Sequence, residues 1–255
     1  FSYNTAVGTD AGKSVTTGVE NTLIGGQAGD ALTDADYNVA MGVSALGTDT
    51  LGSRATALGF GTLANQNFTS ATDNYNVAVG FYAGVAITTG VENTIIGGLA
   101  GDALTTSQRN TVLGYNALGA ETLGQYSVAI GWSALALQSN TGSTVNALNV
   151  AVGYNAGAAV TTGVENTLIG AQAGDALTDA DFNVAMGYQS LTTDTQGSKS
   201  VAIGYETLKV QNFTTITDTH NTAVGHSAGA AVTTGINNTF IGGLSGDAIT
   251  SGNTN

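Results

Sequence analysis

The sequence predicts an all-β fold, a parallel β-roll or β-solenoid of fourteen coils of about 17 residues, and three observations carry that prediction. A five-residue pattern ending in glycine recurs fourteen times in 255 residues, from Asn4–Gly8 to Asn238–Gly242. The residues before each glycine alternate as a strand does, with Thr or Val always second and Val, Ile, Leu or Met always fourth. The chain has 37 Gly and no Pro, and turn segments such as T-T-G interrupt the periods, which defeats a helical reading. A 17-residue coil cannot bury its own apolar face, but stacked coils can.

The glycines are spaced 17, 17, 17 and then 21 or 22 residues apart, so three short coils and one long coil make a super-repeat. The super-repeats cover approximately 4–75, 76–148, 149–220 and a partial 221–255 of one repetitive segment. At about 4.8 Å per coil, fourteen coils would stack to roughly 65 Å. The fourth-position residues form the predicted core of the repeat: Val7, Ile24, Met41, Leu58, Val79, Ile96, Leu113, Ile130, Val152, Ile169, Met186, Ile203, Val224 and Ile241. The mostly-Ala third position is left for the opposite face, where chains could approach an axis. The first position is Asn in eleven coils, which predicts a row of amides bonded to one another and to turn backbone. Four residues past the motif glycine the coils rotate Gly, Gly, Leu, Leu, so the cross-section must change with the same period.

Composition narrows the function. Five Lys plus Arg against 18 Asp plus Glu give a net charge of −13, which argues against nucleic acid and anionic lipid as partners. No apolar run approaches the ~20 residues that span a bilayer, and with no Cys there is neither a disulfide framework nor a thiolate metal site. Gly8-Thr-Asp-Ala-Gly12-Lys13-Ser14 has three residues between its glycines where a phosphate loop needs four. Gly25-Gly26-Gln27-Ala28-Gly29-Asp30 echoes calcium-binding nonapeptides in the wrong frame. Asp30, Asp102, Asp175 and Asp247 recur in the second coil of each super-repeat; turn capping explains them, and they are only weak metal candidates. His220 and His226 fit no nucleophile–base–orienter set. The expectation is a protein that is not an enzyme and carries no cofactor.

Two features could contact a ligand. The residue after the motif glycine is aromatic in Phe60, Phe81, Tyr115, Trp132, Tyr154, Tyr188 and Tyr205, and such a stripe could stack on sugars or pack between chains. The lengthened fourth coil carries Gln66-Asn67-Phe68-Thr69, matched by Gln211-Asn212-Phe213-Thr214 and, in the middle copy, by Gln138-Ser139-Asn140-Thr141. A loop on a rigid scaffold is where binding often sits, which puts Phe68 and Phe213 among the candidate receptor contacts.

The repeat N-V-A-M-G-Y-Q-S-L, at 17-residue spacing, resembles the repeats of bacteriophage tail fibres, and S-V-A-I-G at Ser127–Gly131 and Ser200–Gly204 is similar to the head repeats of trimeric autotransporter adhesins. The longer period makes the tail fibre the nearer likeness. The resemblance implies a left-handed roll, a homotrimeric rod, a location in the virion tail fibre or on a bacterial surface, and a role in host attachment. A host cell-surface glycan or receptor is then the expected outside partner, with an ice-binding solenoid as a minor alternative. Neither end reads as a capping coil, as expected of a segment of a longer fibre.

Overall fold

The computed structural model describes residues 2–140 and 144–255 and forms an all-β parallel solenoid of about fourteen turns at roughly 17-residue spacing, with no helix among the described residues. The described chain divides into two compact bodies, one of residues up to Gln125, the other of Tyr126–Asn140 and Val145–Asn255. The first body contains β1 (Thr5–Val7), β2 (Thr22–Ile24), β3 (Val39–Met41), β4 (Gly52–Ser53), β5 (Thr56–Leu58), β6 (Thr72–Asp73), β7 (Val77–Val79), β8 (Thr94–Ile96) and β9 (Thr111–Leu113). The second contains β10 (Val128–Ile130), β11 (Val150–Val152), β12 (Thr167–Ile169), β13 (Val184–Met186), β14 (Gly197–Ser198), β15 (Val201–Ile203), β16 (Thr217–Asp218), β17 (Thr222–Val224) and β18 (Thr239–Ile241). Within each body the three-residue strands pair in parallel at the repeat register, as in Thr22↔Val39 and Thr167↔Val184.

Each coil has length for a second short strand on the side opposite the first. It forms only where the long fourth coil pairs with the one before it, β4 with β6 and β14 with β16. Elsewhere that side is turn, held by single bonds such as Thr33 N–H to the Thr50 carbonyl at 2.9 Å.

Side-chain parity is the reverse of the expectation. The third position is the interior: Leu23, Ala40, Ala57, Ala78, Ile95, Val112, Ala129, Ala151, Leu168, Ala185, Ala202, Ala223 and Phe240 are all buried. None of the fourteen fourth-position residues is buried in the chain: Val7, Ile24, Met41, Leu58, Val79, Ile96, Leu113, Ile130, Val152, Ile169, Met186, Ile203, Val224 and Ile241 all point outward. The interior of a 17-residue coil is narrow, and it must also hold the small residue three past the glycine and the aliphatic one beyond it. Large and small side chains therefore alternate between neighbouring coils. Where the third position is Leu23, the residue four past the glycine is Gly29, whose Cβ would lie 2.8 Å from both Leu23 Cδ2 and Leu32 Cδ1. Where it is Ala40 or Ala57, that place holds the fully buried Leu46 or Leu63.

Two polar devices complete the coil. Each motif asparagine is a cross-coil clamp: Asn21 N–H donates to Asn4 Oδ1 (2.8 Å), Asn21 Nδ2 donates to the Ala35 carbonyl (2.7 Å), and Asn38 N–H donates to Asn21 Oδ1 (2.9 Å). In the third and fourth coils a buried carboxylate and amide replace aliphatic residues. Asp49 Oδ1 accepts the N–H groups of Gly52 and Phe68 at 3.0 Å each, and Asp49 Oδ2 accepts Gln66 Nε2 at 2.6 Å. Asp194 does the same for Gly197, Phe213 and Gln211.

Gly25 and Gly26 separate two roles that the sequence does not distinguish. Gly25 has φ +134°, and a Cβ there would sit 2.5 Å from the Gly42 carbonyl oxygen, whereas the nearest atom to a Cβ on Gly26 is 4.0 Å away. Gly25→Ala is expected to cost at least about 3 kcal/mol and Gly26→Ala less than about 0.5 kcal/mol in denaturant unfolding. Asp49→Ala, which strands three buried donors, is expected to cost about 3 kcal/mol in the same measurement.

Candidate functional site

The outward side of each strand is one continuous surface within each body. Along one coil it presents Tyr37, Val39, Met41 and Val43, all exposed or half-buried, and the neighbouring coils place their equivalents beside these at the spacing of a parallel ladder. The residue before the first position of each motif lies in the left-handed region, for example Tyr37 at φ 61°, Arg54 at 65° and Glu92 at 60°, which turns the chain into the strand.

The aromatic stripe is real and exposed. Phe60 stacks on Phe81 with centroids 5.6 Å apart and planes at 15°, Trp132 on Tyr154 at 5.2 Å and 14°, and Tyr188 on Tyr205 at 5.4 Å and 22°. Tyr115 is 52% exposed. His226 continues the third stack, 5.0 Å from Tyr205 and nearly parallel to it. The second coil of each super-repeat interrupts the stripe with Gly26, Gly98, Ala171 or Gly243.

Phe68 and Phe213 do not belong with these residues. They are 6% and 8% exposed, packed beneath the insertion rather than projecting from it. Gly52 is boxed in by Asp49 and Phe68: a Cβ there would come 2.1 Å from Asp49 Oδ2 and 2.8 Å from Phe68 Cδ2. The insertion is thus an internally held strap, and the corresponding Thr141 of the middle copy lies outside the described residues.

Sequence reasoning missed two clusters. Arg54 lies 4.8 Å from the Tyr37 ring centroid and 5.9 Å from that of Tyr75, and its Nε is 2.9 Å from Asp73 Oδ1. Tyr82 meets Phe60 edge-on at 5.3 Å and Phe81 at 4.3 Å, making a three-ring corner. Both were readable in principle, since the position before each Asn and the second position past each Gly are also 17-residue columns.

The recurring aspartates are turn residues with unequal partners. Thr192 Oγ1 donates to Asp175 Oδ1 at 2.5 Å, whereas Asp102 Oδ1 is buried without a hydrogen-bond partner. Burial pushes both carboxyls above the usual carboxylate range. Among the described residues no three His, Cys, Asp or Glu side chains stand where they could share a metal ion. No family model, curated protein or solved structure matches the chain.

The raised folded-state affinity of Asp102 for its proton fixes a sign. Its charge costs stability at neutral pH, and the cost fades as pH falls through the folded value. Asp102→Asn is therefore expected to stabilise the fold at pH ~7, by less than about 1 kcal/mol given the solvent screening of a half-buried group, with a higher thermal midpoint as the readout, and the gain should shrink toward pH ~4.

Proposed function

We propose that this chain is a shaft segment of a homotrimeric viral tail fibre, or of a related fibrous surface adhesin, that spaces and presents an attachment tip. One observation carries the reading: the outward strand face leaves a Val, Ile, Leu or Met exposed or half-buried at the fourth position of every coil and an aromatic residue after the glycine in seven of them, with Met41 45%, Leu113 45%, Trp132 48% and Tyr154 53% exposed. Single soluble chains seldom leave so much contiguous apolar surface in water, and packing against copies of itself would remove it. The 17-residue N-V-A-M-G-Y-Q-S-L repeat, through its likeness to phage fibre repeats, supplies the trimer, the left-handed coil and the virion location. Repetition without a paired-carboxylate cleft or a nucleophile constellation suits a spacer better than a catalyst.

Reversed parity sharpens the test. Ile95 is 0% exposed and Ile96 36% exposed, so the two neighbours lie on opposite sides of one strand. Light scattering is expected to give a mass near three times the 25.3 kDa chain. Ile96→Asp should yield a β-rich species of lower mass, because a carboxylate would be buried only on assembly. Ile95→Asp should abolish the β signal by placing that charge inside the coil. A folded wild-type monomer, or an Ile96→Asp variant of unchanged mass and midpoint, would refute the shaft assignment.

A further inference from the structure

The four-coil pattern recurs within the chain, so the protein carries its own comparison: one backbone plan with different side chains at each equivalent place. On the rim of the coils, a channel runs between the residues two past the motif glycine and those five and six past it. In the third super-repeat the side chains along this channel satisfy one another. Gln189 Nε2 donates to Gln172 Oε1 (3.0 Å), Thr192 Oγ1 to Asp175 Oδ1 (2.5 Å) and Lys209 Nζ to Glu206 Oε1 (2.7 Å).

The first super-repeat keeps Gln27 and Asp30 but truncates the rest: Ser44, Gly47, Gly61 and Ala64 stand where the third has Gln189, Thr192, Glu206 and Lys209. These truncations open two adjoining depressions of about 250 and 380 Å³ that share Ser44, Ala64 and Asn65. The smaller is polar, edged by Gln27, Asp30 and Thr48. The larger is walled by Phe60, Tyr82 and Val85. A tyrosine occurs at this place here only; the equivalents of Tyr82 are Asp10, Asn155 and Ser227. Phe60 and Phe81 hold its ring from two sides, so the wall is fixed in advance.

We propose that this groove binds a neutral pyranose ring of a glycan. A pyranose has a C–H face, which packs on an aromatic wall, and a rim of hydroxyls, which need mixed donors and acceptors. The groove offers both: rings on one side, and on the other the Asp30 carboxylate, the Gln27 and Asn65 amides and the Ser44 and Thr48 hydroxyls. Neither Lys nor Arg lines it, its one charged group is Asp30, and the chain carries −13, so an anionic sugar would meet repulsion without a counter-charge. The volume is at the lower end for ligand pockets and suits one or two rings, with millimolar affinity per site expected. The groove opens on the channel side of the coil and shares Phe60 alone with the strand face, and its argument does not rest on the fibre assignment.

The test is saturation-transfer NMR and titration of the full chain with the methyl glycosides of glucose, galactose, mannose and N-acetylglucosamine. N-acetylneuraminic acid serves as the anionic comparison. At least one neutral glycoside is expected to bind. Tyr82→Ser and the double variant Gly47→Thr/Ala64→Lys should each weaken that binding about tenfold or more, while Leu244→Ser, at the exposed equivalent place in the last coil, should leave it unchanged. Residues 47 and 64 receive the side chains that Thr192 and Lys209 already place on the same backbone plan, and circular dichroism checks that each variant folds. The proposal is overturned if no neutral glycoside binds up to about 50 mM, if binding survives within twofold in both groove variants, or if the anionic sugar binds more tightly than the neutral ones.

Discussion

The structure depends on one contact: the backbone carbonyl of a motif glycine occupies the space where the preceding coil's glycine would carry a Cβ. At Gly97 the Gly114 carbonyl oxygen is 2.5 Å from that point, and at Gly153 the Gly170 oxygen lies at the same distance. A side chain there would force the coils apart and break the parallel ladder, whose spacing is set by backbone hydrogen bonds. The φ values near 135° at these glycines close the alternative, because an L-residue cannot adopt them without strain. Everything else in the coil is registered to that column. The asparagine N–H to Oδ1 bonds and the strand registers between short coils join residues 17 apart, while the Nδ2 arms of the clamps reach carbonyls 14 residues on.

A uniform 17-residue repeat could have stacked with one side chain at each place. This chain uses a four-coil period instead, and the reason is volume. The interior is shared between adjacent coils, so Leu23 requires Gly29, while Ala40 and Ala57 make room for Leu46 and Leu63. The same rotation exchanges the aliphatic Leu32 of the second coil for Asp49 and Gln66 in the next two. That polar pair is not decoration of a core: Asp49 terminates the Gly52 and Phe68 N–H groups that the insertion would otherwise leave buried and unpaired. Insertion, carboxylate, amide and buried Phe68 form one device, repeated as Asp194, Gln211 and Phe213.

This division explains what could be read from the sequence. Period, coil, strand position and the asparagine row are legible because each is written as a column at fixed spacing, and repetition removes ambiguity. The facing of the strand is not. In Thr22-Leu23-Ile24 or Val77-Ala78-Val79 both faces are apolar, so hydrophobic alternation alone cannot orient them. The deciding fact is side-chain volume against the width of the interior, which requires the partners from neighbouring coils. Phe68 was misplaced for a related reason. An extra four residues read as a projecting loop, whereas Thr72–Asp73 fold back to pair with Gly52–Ser53 and draw the ring inward. Tyr82 escaped notice because the groove it walls is made by missing side chains at Gly47, Gly61 and Ala64, and an absence is visible only beside the filled copy.

Charge placement then separates the surfaces. All five cations are spent in exposed pairs with acids of their own or a neighbouring coil: Lys13 with Asp10, Arg54 with Asp73, Arg109 with Glu92, Lys199 with Asp218 and Lys209 with Glu206. Such pairs contribute little to stability. Their effect is to leave the unpaired acids, and hence the net −13, away from them. On the strand face, Lys, Arg, Asp and Glu occur only in the column before the first motif position, which holds the paired Glu92 and Arg109, Arg54 beside Tyr37 and Tyr75, Lys199 paired with Asp218, and also Glu20 and Glu165. Beside that column lie uncharged residues: the Thr or Val of the second position, the aliphatic fourth position and the aromatic stripe. In the proposed assembly, contact through this face would bury mainly uncharged side chains and leave most of the carboxylates outside it, so repulsion among the acidic surfaces would favour this face alongside the apolar attraction.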